Sequence, residues 1–224
     1  MARHRLLFTK TGRAQYLSHL DLMRTVQRVF ARAGVGIRHT EGFNPHAYVS
    51  VALPLSVGVE SGCELLDFEV VDGTSLDMLP ELLNANLPEG IRVLAAYEAE
   101  TKLKDIAFLR VRGVFHYDGI DGTPRCASPT GLAAFFGQSS ILVKKLTKKK
   151  TETEVDIKPL IQEIAFVSDG AHRVTLEAVI AAQNPGLNPG LLIEALRQHA
   201  PELVPDFVQF GRVEVYDKDM RVFR

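Results

Sequence analysis

RLLFTKTGRAQYLSHLDLMRTVQRVFARAG, residues 5–34, decides the fold, because its hydrophobic period changes partway. Arg5-Leu-Leu-Phe-Thr9 reads as a short strand, and Lys10, Thr11 and Gly12 form a turn. Ser18 then stands where a helix N-cap belongs, with Asp21 three residues on as its capping-box partner. Leu22, Val26, Val29, Phe30 and Ala33 recur at helical spacing until Gly34 stops the run. Arg24, Arg28 and Arg32 sit four apart on the other side of that helix. Two readings of this stripe stay open: a solubilising surface or an electrostatic rail.

Working outward, Gly42-Phe43-Asn44-Pro45 is a turn, followed by a strand over about 47–53. Residues 64–71 alternate, with Leu66, Phe68 and Val70 facing one way and Asp67 and Glu69 the other. Leu76, Leu79, Leu82 and Leu83 restore helical spacing until Pro88 and Gly90, and a strand follows over 91–97. The order β-α-β-β-α-β is the ferredoxin-like arrangement, two helices on one face of a four-stranded antiparallel sheet. The second half nearly repeats it. A strand is expected over 107–117, a helix over 130–136 and a hairpin about Asp169-Gly170 joining strands 161–168 and 172–180. Asn188 and Pro189 open a helix through His199, and Val208, Phe210, Val213 and Val215 make a last strand. The fold expected is therefore α+β, two tandem ferredoxin-like domains over 1–102 and 103–224, with a basic hairpin or loop at 141–160. One larger α+β domain is the alternative.

At 224 residues with 46% hydrophobic and 24% charged residues, the chain can bury a sizeable core. No apolar run approaches the roughly 20 residues of a membrane helix, and the start MARHRLLFTK lacks a signal-peptide apolar region, so a cytoplasmic protein is expected. Cys63 and Cys126 are too few for a disulfide framework or a cysteine-only zinc site. The net charge of −1 hides segregation: residues 1–50 carry eight Lys/Arg against two acids, residues 51–100 one Arg against ten acids. Lys144, Lys145, Lys148, Lys149 and Lys150 form a second basic cluster. Clustered cations release counterions from phosphates, which favours a polyanionic partner.

Phe8-Thr9-Lys10-Thr11-Gly12-Arg13, Tyr16-Leu17-Ser18-His19-Leu20-Asp21-Leu22, Glu41-Gly42-Phe43-Asn44-Pro45-His46 and Ala52-Leu53-Pro54-Leu55-Ser56-Val57-Gly58-Val59-Glu60-Ser61 together resemble the radical SAM-linked protein family. Lys148-Lys149-Lys150 with Glu154-Val155-Asp156-Ile157-Lys158-Pro159-Leu160-Ile161 extends the resemblance. This domain of unknown function 2344 is often fused to, or encoded beside, a cobalamin-type radical SAM protein. Pro-Lys usually follows Asn-Pro-His in the family, whereas Ala47-Tyr48 stands here. The resemblance implies a partner of a radical SAM enzyme, since this chain lacks the Cys-x-x-x-Cys-x-x-Cys of the enzyme itself. Its members are often encoded near ribonuclease G and ribosomal protein genes, which implies RNA processing or modification.

Ser18, His19, Asp21, Asn44 and His46 are candidates for a binding cleft. His19 and His46 could move a proton near neutral pH; the alternative is that they cap a helix and tie down a turn. No metal, cofactor or nucleotide loop is expected. Neither cysteine stands beside a His, and no Gly-x-Ser-x-Gly elbow occurs. The RNA-recognition signature is missing too; paired ferredoxin-like domains of CRISPR repeat-processing ribonucleases supply an architectural analogy only. The expected function is a noncatalytic RNA-binding accessory of a radical SAM enzyme. Lys10, Arg13, Arg24, Arg28, Arg32, Lys144, Lys145, Lys148, Lys149 and Lys150 would be on the RNA, and the acidic 60–81 stretch would face solvent or the partner. The alternatives are an RNA-processing or RNA-modifying enzyme using His19 and His46, and a protein–protein adaptor without RNA contact.

Overall fold

A computed structural model describes residues 3–119, 125, 128–146 and 152–224. It is α+β, with mostly antiparallel strands and four α-helices among the described residues. The chain divides into two compact units: Met1–Ile106 with Arg212–Glu214 and Arg221–Arg224, and Ala107–Gly211 with Val215–Met220.

In the first unit β1 (His4–Lys10) leads to α1 (His19–Arg32), β2 (Val49–Val51), β3 (Glu60–Phe68), α2 (Leu79–Asn84) and β4 (Ile91–Glu98). The strands lie in the order β4-β1-β3, with β2 paired to β3, and each of these pairs is antiparallel. Leu22, Val26, Val29 and Phe30 of α1 and Leu79 and Leu83 of α2 bury against Leu6, Phe8, Leu66, Phe68, Ile91 and Val93. Each such side chain contributes about 1.5–3 kcal/mol on burial. Ser18 caps α1: its Oγ accepts from the Asp21 N–H at 3.2 Å and donates to Asp21 Oδ2 at 2.7 Å. Gly34 ends the helix at φ +69°, a conformation L side chains rarely adopt.

The alternation expected for β3 holds, but both of its faces are buried. Leu66 and Phe68 enter the core with the helices. Asp67, 5% exposed, meets its cross-strand neighbour Arg5 on the other face.

In the second unit β5 (Phe108–His116) is followed by α3 (Pro129–Phe136), a hairpin of β6 (Leu142–Leu146) and β7 (Glu152–Asp156), then β8 (Ile161–Ser168), β9 (Arg173–Ala181), α4 (Gly190–His199) and β10 (Phe207–Tyr216). Strand order is β10-β5-β9-β8, and among the described residues β6 and β7 form a separate two-stranded sheet. Val111, Phe115, Leu132, Phe136, Val174, Leu176, Leu192 and Leu196 fill the core. Phe136 stacks on Phe166 with ring centres 5.6 Å apart. Helix α4 begins at Gly190, whose N–H donates to Asn188 Oδ1 at 2.9 Å.

Candidate nucleic-acid interface

The entry to α1 is built by backbone geometry. Thr11 N–H donates to the Gly90 carbonyl at 2.7 Å, and Gly12 N–H donates to Glu60 Oε1 at 2.9 Å. Gly90 sits at φ +88°, and a Cβ there would lie 2.4 Å from the Thr11 carbonyl oxygen. The short 3-10 turn Gly12–Tyr16 then delivers the chain to Ser18. Because Leu22, Val26, Val29 and Phe30 fix one side of α1 in the core, its other side stands in solvent. That outer side carries Leu20, Arg24, Arg28 and Arg32, all exposed. Arg24 lies 3.6 Å from Asp21 with both side chains more than half exposed, so the pair is weak. Among the described residues no carboxylate pairs with exposed Arg13, Arg28 or Arg32.

His46 belongs to a second construction. Thr40 N–H donates to the His46 carbonyl at 2.8 Å, and Tyr48 N–H donates to the Arg38 carbonyl at 2.7 Å, making a narrow loop. His46 N–H donates to Thr40 Oγ1 at 3.2 Å, while its Nδ1 lies 3.1 Å from that oxygen and 3.3 Å from the Asn44 carbonyl. The Arg38 guanidinium stacks on Tyr48 at 5.6 Å and pairs with Glu69 at 3.2 Å. Phe43 at the tip is fully exposed. Ser18 and Asp21 are thus joined, as are Asn44 and His46, but no hydrogen bond or ion pair among the described residues joins the two groups. His19 is exposed at the first position of α1. Among the described residues no three His, Cys, Asp or Glu side chains gather as a metal site.

Two expectations are corrected by burial. Lys10 is 2% exposed, so it offers no ammonium to an external phosphate; burial lowers its pKa, partly offset by the field of Glu64. Nor does the 60–81 stretch form one outward acidic face. Glu64 is fully buried, with Arg212 Nη1 donating to its Oε1 at 2.7 Å and Arg212 Nη2 donating to the Leu53 carbonyl at 2.6 Å. Asp67 accepts from Arg5 Nε at 2.6 Å and Nη2 at 3.1 Å. Arg5 also donates to Thr101 Oγ1 and its carbonyl, and lies 5.0 Å over the Phe223 ring. The outward acids of the stretch are Asp72, Asp77 and Glu81. Burial also pushes the Cys63 thiol up to about 12, so it stays protonated and unreactive. Cys126 lies outside the described residues.

In the second unit Lys144 is exposed on β6, and its backbone exchanges two hydrogen bonds of 2.9 Å with the Gln198 side chain on α4. The Lys145 side chain and Lys148, Lys149 and Lys150 lie outside the described residues. Sequence reasoning missed exposed Tyr16, Leu20 and Phe43. For Leu20 a signal existed: it falls off the 22-26-29-30-33 apolar stripe of α1.

A chain in the crystal structure of a Cbf5-Nop10-Gar1 complex matches this fold with a TM-score of 0.52 at 8% identity, over 95% of this chain and 48% of that one. This chain thus spans about half the length of that neighbour. An unknown protein from Galdieria sulphuraria aligns over 95% of this chain and 98% of its own at 11% identity, with a TM-score of 0.28. No curated protein matches the chain. No described helix is long and apolar enough to cross a membrane. A family model matches residues 3–189, and the chain belongs to that family, described as uncharacterized protein conserved in bacteria (DUF2344).

Proposed function

We propose that this protein is a noncatalytic RNA-binding accessory, working in the cytoplasm with a radical SAM enzyme in RNA modification or processing. The observation that carries the reading is the outer side of α1, where Arg24, Arg28 and Arg32 project into solvent and the last two have no carboxylate partner among the described residues. Unpaired guanidiniums on a rigid helix suit phosphate, which they contact in bidentate fashion. The tie to a radical SAM enzyme is supported by the sequence motifs around Ser18, Asn44 and Leu53. In this reading the two units are tandem ferredoxin-like domains. Support for that comes from the matching strand orders, β4-β1-β3 with β2 on β3 and β10-β5-β9 with β8 on β9. Arg13 and Lys144 add to the basic surface of their own units; Lys10 does not.

Fluorescence anisotropy with labelled hairpin RNA, single-stranded RNA and duplex DNA, from about 50 to 300 mM salt, tests the reading. RNA-selective binding at micromolar or tighter Kd is expected. Each phosphate contact on a single strand contributes about −0.7 to the log–log salt slope, so Arg28→Glu with Arg32→Glu makes the slope shallower by roughly 1.4. Absence of binding at the lowest salt overturns the reading.

A further inference from the structure

The surface at the start of α1 is not only basic. Tyr16 is 65% exposed and Leu20 64% exposed, in a chain that buries most of its large apolar side chains. Tyr16 ends the 3-10 turn three residues before α1, so its Cα lies within about 11 Å of that of His19. Leu20 stands one helical turn before Arg24, and Arg28 and Arg32 follow at steps of about 6 Å along the axis. Those steps are commensurate with the separation of successive phosphates on one nucleic-acid strand. Tyr16 on the 3-10 turn and Leu20 in the first turn of α1 are thus two exposed side chains that precede, in chain order, three exposed cations on one helix. Its one acid, Asp21, is held by Ser18 and Arg24.

We propose that the RNA taken by α1 is an unpaired segment, its backbone following Arg24, Arg28 and Arg32 and one of its bases stacking on Tyr16. This rests on the RNA-binding reading and names its substrate class. Arginines alone do not distinguish strand from duplex, because both carry phosphates. An exposed aromatic ring does: a paired base has both faces covered by its neighbours, whereas an unpaired base has a face free to stack. Leu20 then packs against the sugar or the edge of the stacked base. Cationic tracks combined with aromatic platforms are the general design of single-strand binders.

The test uses the full chain and a single-stranded RNA of about twelve nucleotides, within the site sizes of such binders, carrying one 2-aminopurine, beside a blunt RNA duplex. Tyr16 is exposed, so substitution leaves the core intact. Tyr16→Ala is expected to weaken the single strand by roughly 5- to 150-fold, the range for losing one base–aromatic stack. Its salt slope stays unchanged, because no charge is removed. Tyr16→Phe keeps the affinity, the duplex affinity is the same in both variants, and 2-aminopurine is quenched by the wild type but not by Tyr16→Ala. If the wild type binds RNA and Tyr16→Ala is indistinguishable from it, the single-strand assignment falls, the RNA reading stands, and Tyr16 and Leu20 pass to a protein partner. If the wild type binds no RNA, both fall.

Discussion

Arg212 Nη1 lies 2.7 Å from Glu64 Oε1, with the two side chains 6% and 1% exposed, in residues 148 positions apart in sequence. The pair fixes Arg212–Glu214, one of two late pieces of chain that belong to the first unit, beside β3. Among the described residues no group lies in hydrogen-bond geometry with Glu64 Oε2 or Arg212 Nε, although the Ser61 side chain helps to hold the Glu64 charge. Burial of this kind costs about as much as the pair returns, so its contribution is to where the late segment sits more than to net stability.

Arg212→Met removes the hydrogen-bonded cation of buried Glu64 and leaves it only the field of Lys10 and the Ser61 hydroxyl. The substitution should destabilise the first unit by up to about 3–5 kcal/mol at pH 7 in urea denaturation. Burial raises the Glu64 pKa above the ordinary carboxylate value, and Arg212 offsets part of that rise. A carboxyl raised in the folded state contributes stability below its unfolded pKa and loses it as pH rises through its folded pKa. Removing Arg212 raises Glu64 further, so the deficit of the variant should shrink toward pH 4. A deficit independent of pH would assign the damage to lost packing alone. Glu64→Gln with Arg212→Met should recover part of the loss.

Asp72 gives the opposite pH dependence. Its carboxylate accepts from Thr74 Oγ1 at 2.7 Å, from Thr74 N–H at 3.0 Å and from Gly36 N–H, and these bonds hold its pKa near 2. A lowered carboxylate stabilises above its unfolded pKa, and that contribution is lost as pH falls through the folded value. Asp72→Asn should therefore be less stable than the wild type at neutral pH and converge with it between about pH 4 and pH 2. Parallel acid titrations followed by circular dichroism check this.

The cap and the approach to α1 can be tested separately. Ser18→Ala removes an acceptor from Asp21 N–H and should cost about 1 kcal/mol. Gly90→Ala combines a positive φ with a 2.4 Å approach to the Thr11 carbonyl oxygen, and should destabilise by more than about 1 kcal/mol, where an unstrained exchange of Gly for Ala would stabilise. Hydrogen exchange should show the opening confined to Gly12–Ser18 for Gly90→Ala and to the first turn of α1 for Ser18→Ala.

Local chemistry made the elements readable. The Ser18–Asp21 cap, the apolar stripe from Leu22 to Phe30 and the Gly34 stop act within a few residues, and the chain order of strands and helices in the first unit follows from them. What escaped was long range. Lys10 looks like a surface cation because nothing nearby in sequence indicates that Glu64 lies on the neighbouring strand β3, opposite Phe8. Asp67 alternates outward from Leu66 and Phe68 as read, yet its face is closed by Arg5, Thr101 and Phe223. Periodicity says which side of a strand a residue takes, not whether a late segment covers that side. The site was half readable for the same reason: the Arg24-Arg28-Arg32 ladder is a local pattern, whereas the exposure of Tyr16 depends on how the 3-10 turn leaves β1.

His46 and His19 separate an accessory from an enzyme. His46 Nδ1 is engaged by Thr40 Oγ1 and the Asn44 carbonyl, so its imidazole braces the 40–46 loop. His46→Ala removes that brace and should raise hydrogen exchange in the loop, with RNA affinity unchanged within about twofold. His46→Asn, which can keep a polar contact to Thr40, should restore much of the protection. His19 makes no bond with the 40–46 loop, so His19→Ala should leave exchange there unaltered. Loss of a chemical turnover on RNA in either alanine variant, with RNA binding and loop protection intact, would assign the histidines to catalysis and replace the accessory reading with that of an enzyme.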